Sequence, residues 1–435
     1  MSNRSIFHPD FKASPFWWEA HEPKKAELTE VPKEARVAII GAGYAGLAAA
    51  LQLAKDGVDA VVLEAAQPGF GASTRNGGLV SGGVTVGKRY SGKEDPERLA
   101  QLLGAAADSF GLIERLVEDE AIDCEWTKSG RFAGAWCRAH FRALAAKVDH
   151  LNRYAEAGAS MLEPDRQREE IASDYYLGGM VVARSAHLHP AKYFAGLYRA
   201  ALGRGAVVCA EAPVTKLGRN GAGFMVETAR GTVRAGDVIV ATNGYTGAVT
   251  PALRRRVIPV NSYIISTEEL PADLAMSLMP RNKSIYDTRR LLTYYRMSGD
   301  RRRLIFGGRA SFRGSDPVET APTLHRYMID RFPQLAGTRI THAWTGNVAF
   351  TFDEVPHMGS LDGLHYALGC NGSGVAMMTY LGTETARKVA GRSNLRNAFD
   401  SDSFPGHWAY DGRPWFVPVM GEYLRARDWL DRHFN

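Results

Sequence analysis

Cysteine is scarce in this 435-residue chain, which carries only Cys124, Cys137, Cys209 and Cys370, with neither a CxxC pair nor a metal-ligand spacing. That excludes a disulfide scaffold and a zinc module, and the expectation is reduced thiols in a cytoplasmic protein. A strong excess of one charge is also lacking. The chain has 53 Lys and Arg against 47 Asp and Glu, a net charge of +6, and tight basic clusters only at residues 254–256 and 301–303. Both triplets read as solvated turns, so no nucleic-acid partner is expected, while the mild positive field favours an anionic substrate or cofactor. There is no internal repeat and no low-complexity stretch. The longest apolar run, residues 37–54, has only Gln52 as a strongly polar residue, but three of its positions are glycine and many of the rest are small. It is not expected to span a membrane. The opening MSNRSIFHPDFKASPFWWEAHEP puts charges and prolines where an export signal needs an apolar core.

What is present is an ordinary soluble composition, 45% hydrophobic and 23% charged, in a chain long enough for two domains. Residues 37–64 read VAIIGAGYAGLAAALQLAKDGVDAVVLE: a buried strand, a turn over Gly41, Ala42, Gly43, Tyr44, Ala45 and Gly46, a helix over 44–55, and a second strand ending at Glu64 and Ala65. In such a βαβ unit Gly41 permits the tight turn, Gly43 lets backbone approach a pyrophosphate, and Gly46 lets helix and strand pack closely. The helix N-terminus favours the phosphates, and Glu64 can accept from ribose hydroxyls. The motif alone does not separate NAD from FAD.

Three later stretches bear on that choice. The loop after the second strand holds Gly71, Ala72, Ser73, Thr74, Arg75, Asn76, Gly77 and Gly78. Its small residues and backbone N–H groups suit a planar or phosphorylated guest. The strand VIVATNGY ends in Ala241, Thr242, Asn243 and Gly244, and can lie beside the pyrophosphate with Val214 nearby. The closing unit places Gly369, Asn371, Gly372, Ser373, Gly374 and Val375 between a strand and a helix. A helix N-terminus there can stabilise negative charge on a reduced flavin, which NAD does not require. The expected division is an arm over 1–35, a cofactor domain from 36–88, 190–250 and 340–395, a substrate domain from 89–189 and 251–339, and an extension over 396–435. Phe16, Trp17 and Trp18 of the arm pack on the body or line a cleft, with packing preferred.

Taken together, GAGYAGLAAA, FGASTRNGG, HLHPAKYFAGLYRAA, VIVATNGYT, LIFGGR, DEVPHMG and GCNGSGVAMMTYLGTETARKVAG resemble the FAD-dependent D-amino-acid oxidase superfamily, and more closely its γ-glutamylputrescine oxidase-like branch. The resemblance implies an α/β fold of the D-amino-acid oxidase/glutathione reductase-2 type: a Rossmann-like FAD-binding domain assembled from separated segments, plus a second domain with a mostly antiparallel sheet. It implies oxidation of a small amine or amino acid to an imine, with molecular oxygen taking the electrons. Thr74 and Cys370 depart from the branch pattern. The segment 346–349, where sarcosine-oxidase relatives place a flavin-tethering cysteine, has none, so non-covalent FAD is expected. Substrate-side candidates are Arg309, Tyr295 with its neighbour Tyr294, and His357. Tyr263 and Trp344 could form an aromatic wall but read more readily as core, and helix capping and packing explain His187 and His189 as well as a ligand does. A flavin dehydrogenase acting on pipecolate, N-methyl amino acids or opine-like conjugates, passing electrons to a quinone or partner protein, remains open, as does a non-catalytic flavoprotein subunit.

Overall fold

Val37, Ala38, Ile39 and Ile40 are all buried, with no polar residue between them, the pattern of a strand covered on both faces by helices. The computed structural model describes residues 5–23, 25–81, 95–393, 397–400 and 404–434. The end of the Gly-rich loop at 82–83 and the expected boundaries near 88 and 395 lie outside the described residues. The strand Glu34–Ile40 is central in a parallel stack whose spatial order is Leu364–Leu368, Gly231–Val240, Glu34–Ile40, Ala60–Leu63, Val207–Cys209. The hairpin Val214–Asn220/Gly223–Thr228 extends the stack beside the first half of Gly231–Val240. Its tight turn follows Asn220, and Gly221 takes the positive φ of +58° there.

The helix Tyr44–Lys55 packs against both Pro190–Gly203 and Gly374–Val389. Its crossing with the last is close because Gly382 has no side chain: a Cβ there would overlap the carbonyl oxygen of Ala45.

A second sheet has nine strands in the order Phe7–Lys12, Ile340–Phe350, Ile258–Thr267, Leu304–Gly308, Thr293–Met297, Ser284–Asp287, Arg131–Gly134, Gly179–Val182, Ala159–Leu162. All neighbours are antiparallel except the first pair and the pair Ser284–Asp287/Arg131–Gly134. The helix Pro317–Arg331 covers one face over an apolar core that includes Tyr295, Phe306, Leu324 and Met328. At its edge the fully buried pair Arg331–Asp287 closes at 2.8 Å. The sheet's other face carries Ser262, Ile264 and Tyr294, which line the site.

Two segments sit differently from the expected division. Ile340–Phe350 is hydrogen-bonded along its length to Ile258–Thr267, so it belongs to the nine-stranded sheet rather than with 351–395. Part of the arm, Phe7–Lys12, is the edge strand of that same sheet. The C-terminal helix Val417–Phe434 is docked as well: the Asp428 carboxylate accepts from the N–H groups of Arg290 and Leu291, both at 3.0 Å. Among the described residues no helix is long and apolar enough to cross a membrane.

Candidate active site

The turn after Glu34–Ile40 is built as its glycines require. Gly41 has φ +100°, and a Cβ on Gly46 would overlap the carbonyl oxygen of Gly41. Gly43 at the N-cap of the helix Tyr44–Lys55 has no side chain, and the Tyr44 N–H donates to the Ser73 hydroxyl at 3.1 Å. The Glu64 carboxylate is fixed by the N–H groups of Ala42 at 2.7 Å and Ala66 at 3.0 Å. From this turn a cleft of about 440 Å³ runs along the carboxyl ends of the parallel strands, lined from Gly41 and Glu64 at one end to Gly374 and Val375 at the other. Its elongated lining, rather than its volume, suits an extended guest of dinucleotide type.

Of the expected cofactor residues, Gly41, Ala42, Gly43, Tyr44 and Ala45 line the cleft at one end, with Glu64, Ala65 and Val214 beside them. Gly71, Ala72, Ser73 and Asn76 form one wall, and Ala241, Thr242 and Asn243 another. Gly372, Gly374 and Val375 close the far end. A Cβ on Gly43 would meet only the Ser73 hydroxyl, at 3.2 Å, so backbone is open to the cleft there. Other expected residues shape loops without lining it. Thr74 is fully buried, donating to the Gly69 carbonyl at 2.5 Å. Gly46 and Gly78 make close backbone approaches. Gly244 packs on Asn347, Gly369 donates its N–H to Asn243 at 3.0 Å, and Asn371 accepts from Thr351 at 3.1 Å.

A second cavity opens from the far end of the cleft. Ala72, Asn76, Asn347, Gly372, Gly374 and Val375 line both, so the two meet at the N-terminus of the helix Gly374–Val389, whose Ser373 N-cap makes no side-chain cap. Arg75, Gly77 and Ser373 face this second cavity. Arg75 lies over the rings of Trp18 and Phe70, at 4.6 and 4.8 Å, and donates to the Phe70 carbonyl at 2.8 Å. Burial lowers its pKa.

Across from the helix terminus stands the nine-stranded sheet. Arg309 lines the cavity, its guanidinium 4.7 Å above the Phe350 ring, and burial again lowers its pKa. Tyr294 lines it too, its hydroxyl 2.9 Å from Ser262 and its ring fitted between Gly77 and Gly307, where a Cβ on either would clash.

Two expected catalytic residues lie elsewhere. Tyr295 points to the opposite face: its hydroxyl is 2.8 Å from that of Tyr176 and its ring stacks on Phe306 at 5.1 Å. Strand alternation sends neighbours to opposite faces, and Tyr294 takes the cavity side. His357 is buried between Asp353, 3.0 Å from its Nε2, and the ring of Phe404, away from the cavity. Tyr263 and Trp344 are core residues, and His189 caps the helix Pro190–Gly203 through the N–H of Lys192. Sequence reasoning missed Arg131, Tyr286, Ser262 and Asn347, all cavity-lining. For Arg131 there was a signal: a lone charge in the apolar and small run RFAGA.

The model of a family of FAD-dependent oxidoreductases matches residues 36–388. A γ-glutamylputrescine oxidoreductase of Escherichia coli K12 is 34% identical over 403 residues, covering 91% of this chain and 93% of its own. A probable oxidoreductase, OrdL, of Haemophilus influenzae is 30% identical over 392 residues, 89% of each chain. Among solved structures, glycine oxidase from Geobacillus kaustophilus superposes with a TM-score of 0.72 at 19% identity, covering 87% of this chain and 99% of that one. L-proline dehydrogenase from P. horikoshii gives 0.72 at 17% identity, with 85% and 97% covered. These structures share the fold. The chain thus belongs to the FAD-dependent oxidoreductases of the D-amino-acid oxidase type, and FAD is its cofactor.

Proposed function

We propose that the protein oxidises the C–N bond of a γ-glutamylputrescine-like or similar amine to an imine, with non-covalently held FAD and with molecular oxygen reduced to hydrogen peroxide. The observation that carries this reading is the meeting of cleft and cavity at the N-terminus of the helix Gly374–Val389, opposite Tyr294 and Arg309. The Gly41–Gly46 turn and Glu64 would hold the adenosine end, and the loop with Ala72 and Asn76 the flavin end. Bound FAD supplies the two-electron acceptor for the C–H bond beside the substrate nitrogen.

The protein's residues do the rest. The helix N-terminus favours negative charge where the cofactor is reduced. Arg309 and Arg75 place positive charge around the cavity, which disfavours the ammonium form of the amine; the neutral form is the one that can lose hydride. The nitrogen proton leaves to water, and water then hydrolyses the imine to a carbonyl compound, releasing ammonia from a primary amine or the second amine from a secondary one. Tyr294, held by Ser262, provides a fixed wall against which the reacting carbon is oriented. Peroxide release by the purified holoenzyme with γ-glutamylputrescine tests the reading. Stoichiometric peroxide supports it; reduction of an artificial dye without peroxide would instead make the protein a dehydrogenase.

A further inference from the structure

Arg131 is only 5% exposed, yet it lines the substrate-side cavity. Its Nε and Nη2 are buried with no hydrogen-bond partner, and its nearest aromatic neighbour is the ring of Tyr286 at 5.0 Å. Arg296 and Arg331, still less exposed at 1% and 0%, are satisfied. Arg296 donates to the carbonyls of Gly77, Leu188 and Met297, and Arg331 pairs with Asp287. A buried guanidinium without a partner is strongly unfavourable, so a position that keeps one open toward a cavity is built for an anion. No acidic side chain lines that cavity among the described residues. Burial also lowers the pKa of Arg131, the mark of a charge left uncompensated.

Register places Arg131 far from Arg309. Ala133, Tyr286, Tyr294 and Gly307 lie level across four adjacent strands. Arg131 comes two residues before Ala133 and Arg309 two residues after Gly307, on strands that run in the same direction. Their backbones are thus separated by three strand spacings, roughly 14 Å, and offset further along the strands. Arg309 stands at one end of the row and Arg131 at the other.

We propose that Arg131 is the receptor for a carboxylate at the end of the substrate remote from the oxidised C–N bond, so that the substrates are amines with an anionic far end and free diamines are rejected. This rests on the amine-oxidising reading above for which end reacts, but the binding claim stands or falls separately.

Three ligands of one chain length separate the possibilities: ε-aminocaproate, its carboxamide, and hexamethylenediamine, whose far ends are anionic, neutral and cationic. Each is titrated into the FAD-loaded protein anaerobically, with calorimetry for binding and the flavin spectrum for reduction. The carboxylate is expected to bind about tenfold or more tighter than the amide, with the diamine weakest. In Arg131→Met the carboxylate's advantage should vanish while amide binding is unchanged, and the melting temperature should rise. Arg131→Gln provides the same comparison if the methionine variant does not fold. Equal binding of all three ligands to the unmutated protein overturns the proposal, as does a carboxylate preference that survives in Arg131→Met. If the preference holds and no amine bleaches the flavin, the carboxylate site stands and amine oxidation falls. Bleaching with no far-end preference has the opposite meaning.

Discussion

Trp17 donates its indole N–H to the main-chain carbonyl of Asn76 at 2.8 Å. The two preceding loop residues are held the same way. Trp18 donates to the Thr74 hydroxyl at 2.9 Å, and Trp344 to the Arg75 carbonyl at 2.7 Å. Three tryptophans, from the arm and from the nine-stranded sheet, thus fasten three consecutive residues of the loop that forms one wall of the cleft.

Trp17→Phe keeps the ring in its buried place but leaves the Asn76 carbonyl without its donor. The expected cost is about 1–3 kcal/mol of stability, together with faster loss of FAD. Thermal unfolding and the flavin retained after gel filtration measure the two effects. A variant that melts and retains FAD like the parent would show that the arm is not a brace.

Gly46→Ala forces a methyl group into the Gly41 carbonyl. Relieving it opens the first turn, at a cost of about 1–3 kcal/mol or more, and the purified variant should be colourless. Gly203→Ala is the control: the corresponding space is empty and its φ is not positive, so full flavin content is expected.

Tyr294 and Tyr295 should separate function from stability. Tyr295→Phe removes one partner of the buried Tyr176 hydroxyl and should cost about 1–2 kcal/mol with little change in kcat. Tyr294→Phe should reduce turnover with little change in melting temperature. Steady-state kinetics beside thermal melts would show the reverse pattern if Tyr295 were the cavity residue.

How much of this was legible in the sequence differs by region. The first βαβ unit and the three small-residue loops were, because glycine spacing there answers a local steric demand, as at Gly41 and Gly46. The helix Tyr44–Lys55 has the bounds that its apolar run indicated. Facing was not legible at Tyr294 and Tyr295, since both sides of that strand are covered and alternation cannot say which side is the core. His357 followed a loop motif into the wrong environment. The pairing of Ile340–Phe350 with Ile258–Thr267 is a long-range choice that no local pattern encodes.

Burial and the neighbouring Arg296 depress the pKa of His187 to about 3, and burial does the same for His189. Between pH 6.5 and about 3 the unfolded chain therefore binds protons at these sites that the folded chain refuses. Their contribution to stability is complete above pH 6.5 and is lost steadily as the pH falls. Melting temperatures measured between pH 7.5 and 5 should decline, and less steeply in a His187→Gln/His189→Gln double variant. An equal slope in both proteins would place the acid sensitivity elsewhere.

The most direct test of the whole account is anaerobic titration of the purified yellow protein with an amine panel that includes γ-glutamylputrescine. The account predicts bleaching of the flavin band by one equivalent of the matching amine, recovery on admitting oxygen, and release of intact FAD on denaturation. Protein that carries no flavin, or FAD that no amine in the panel reduces, would contradict it.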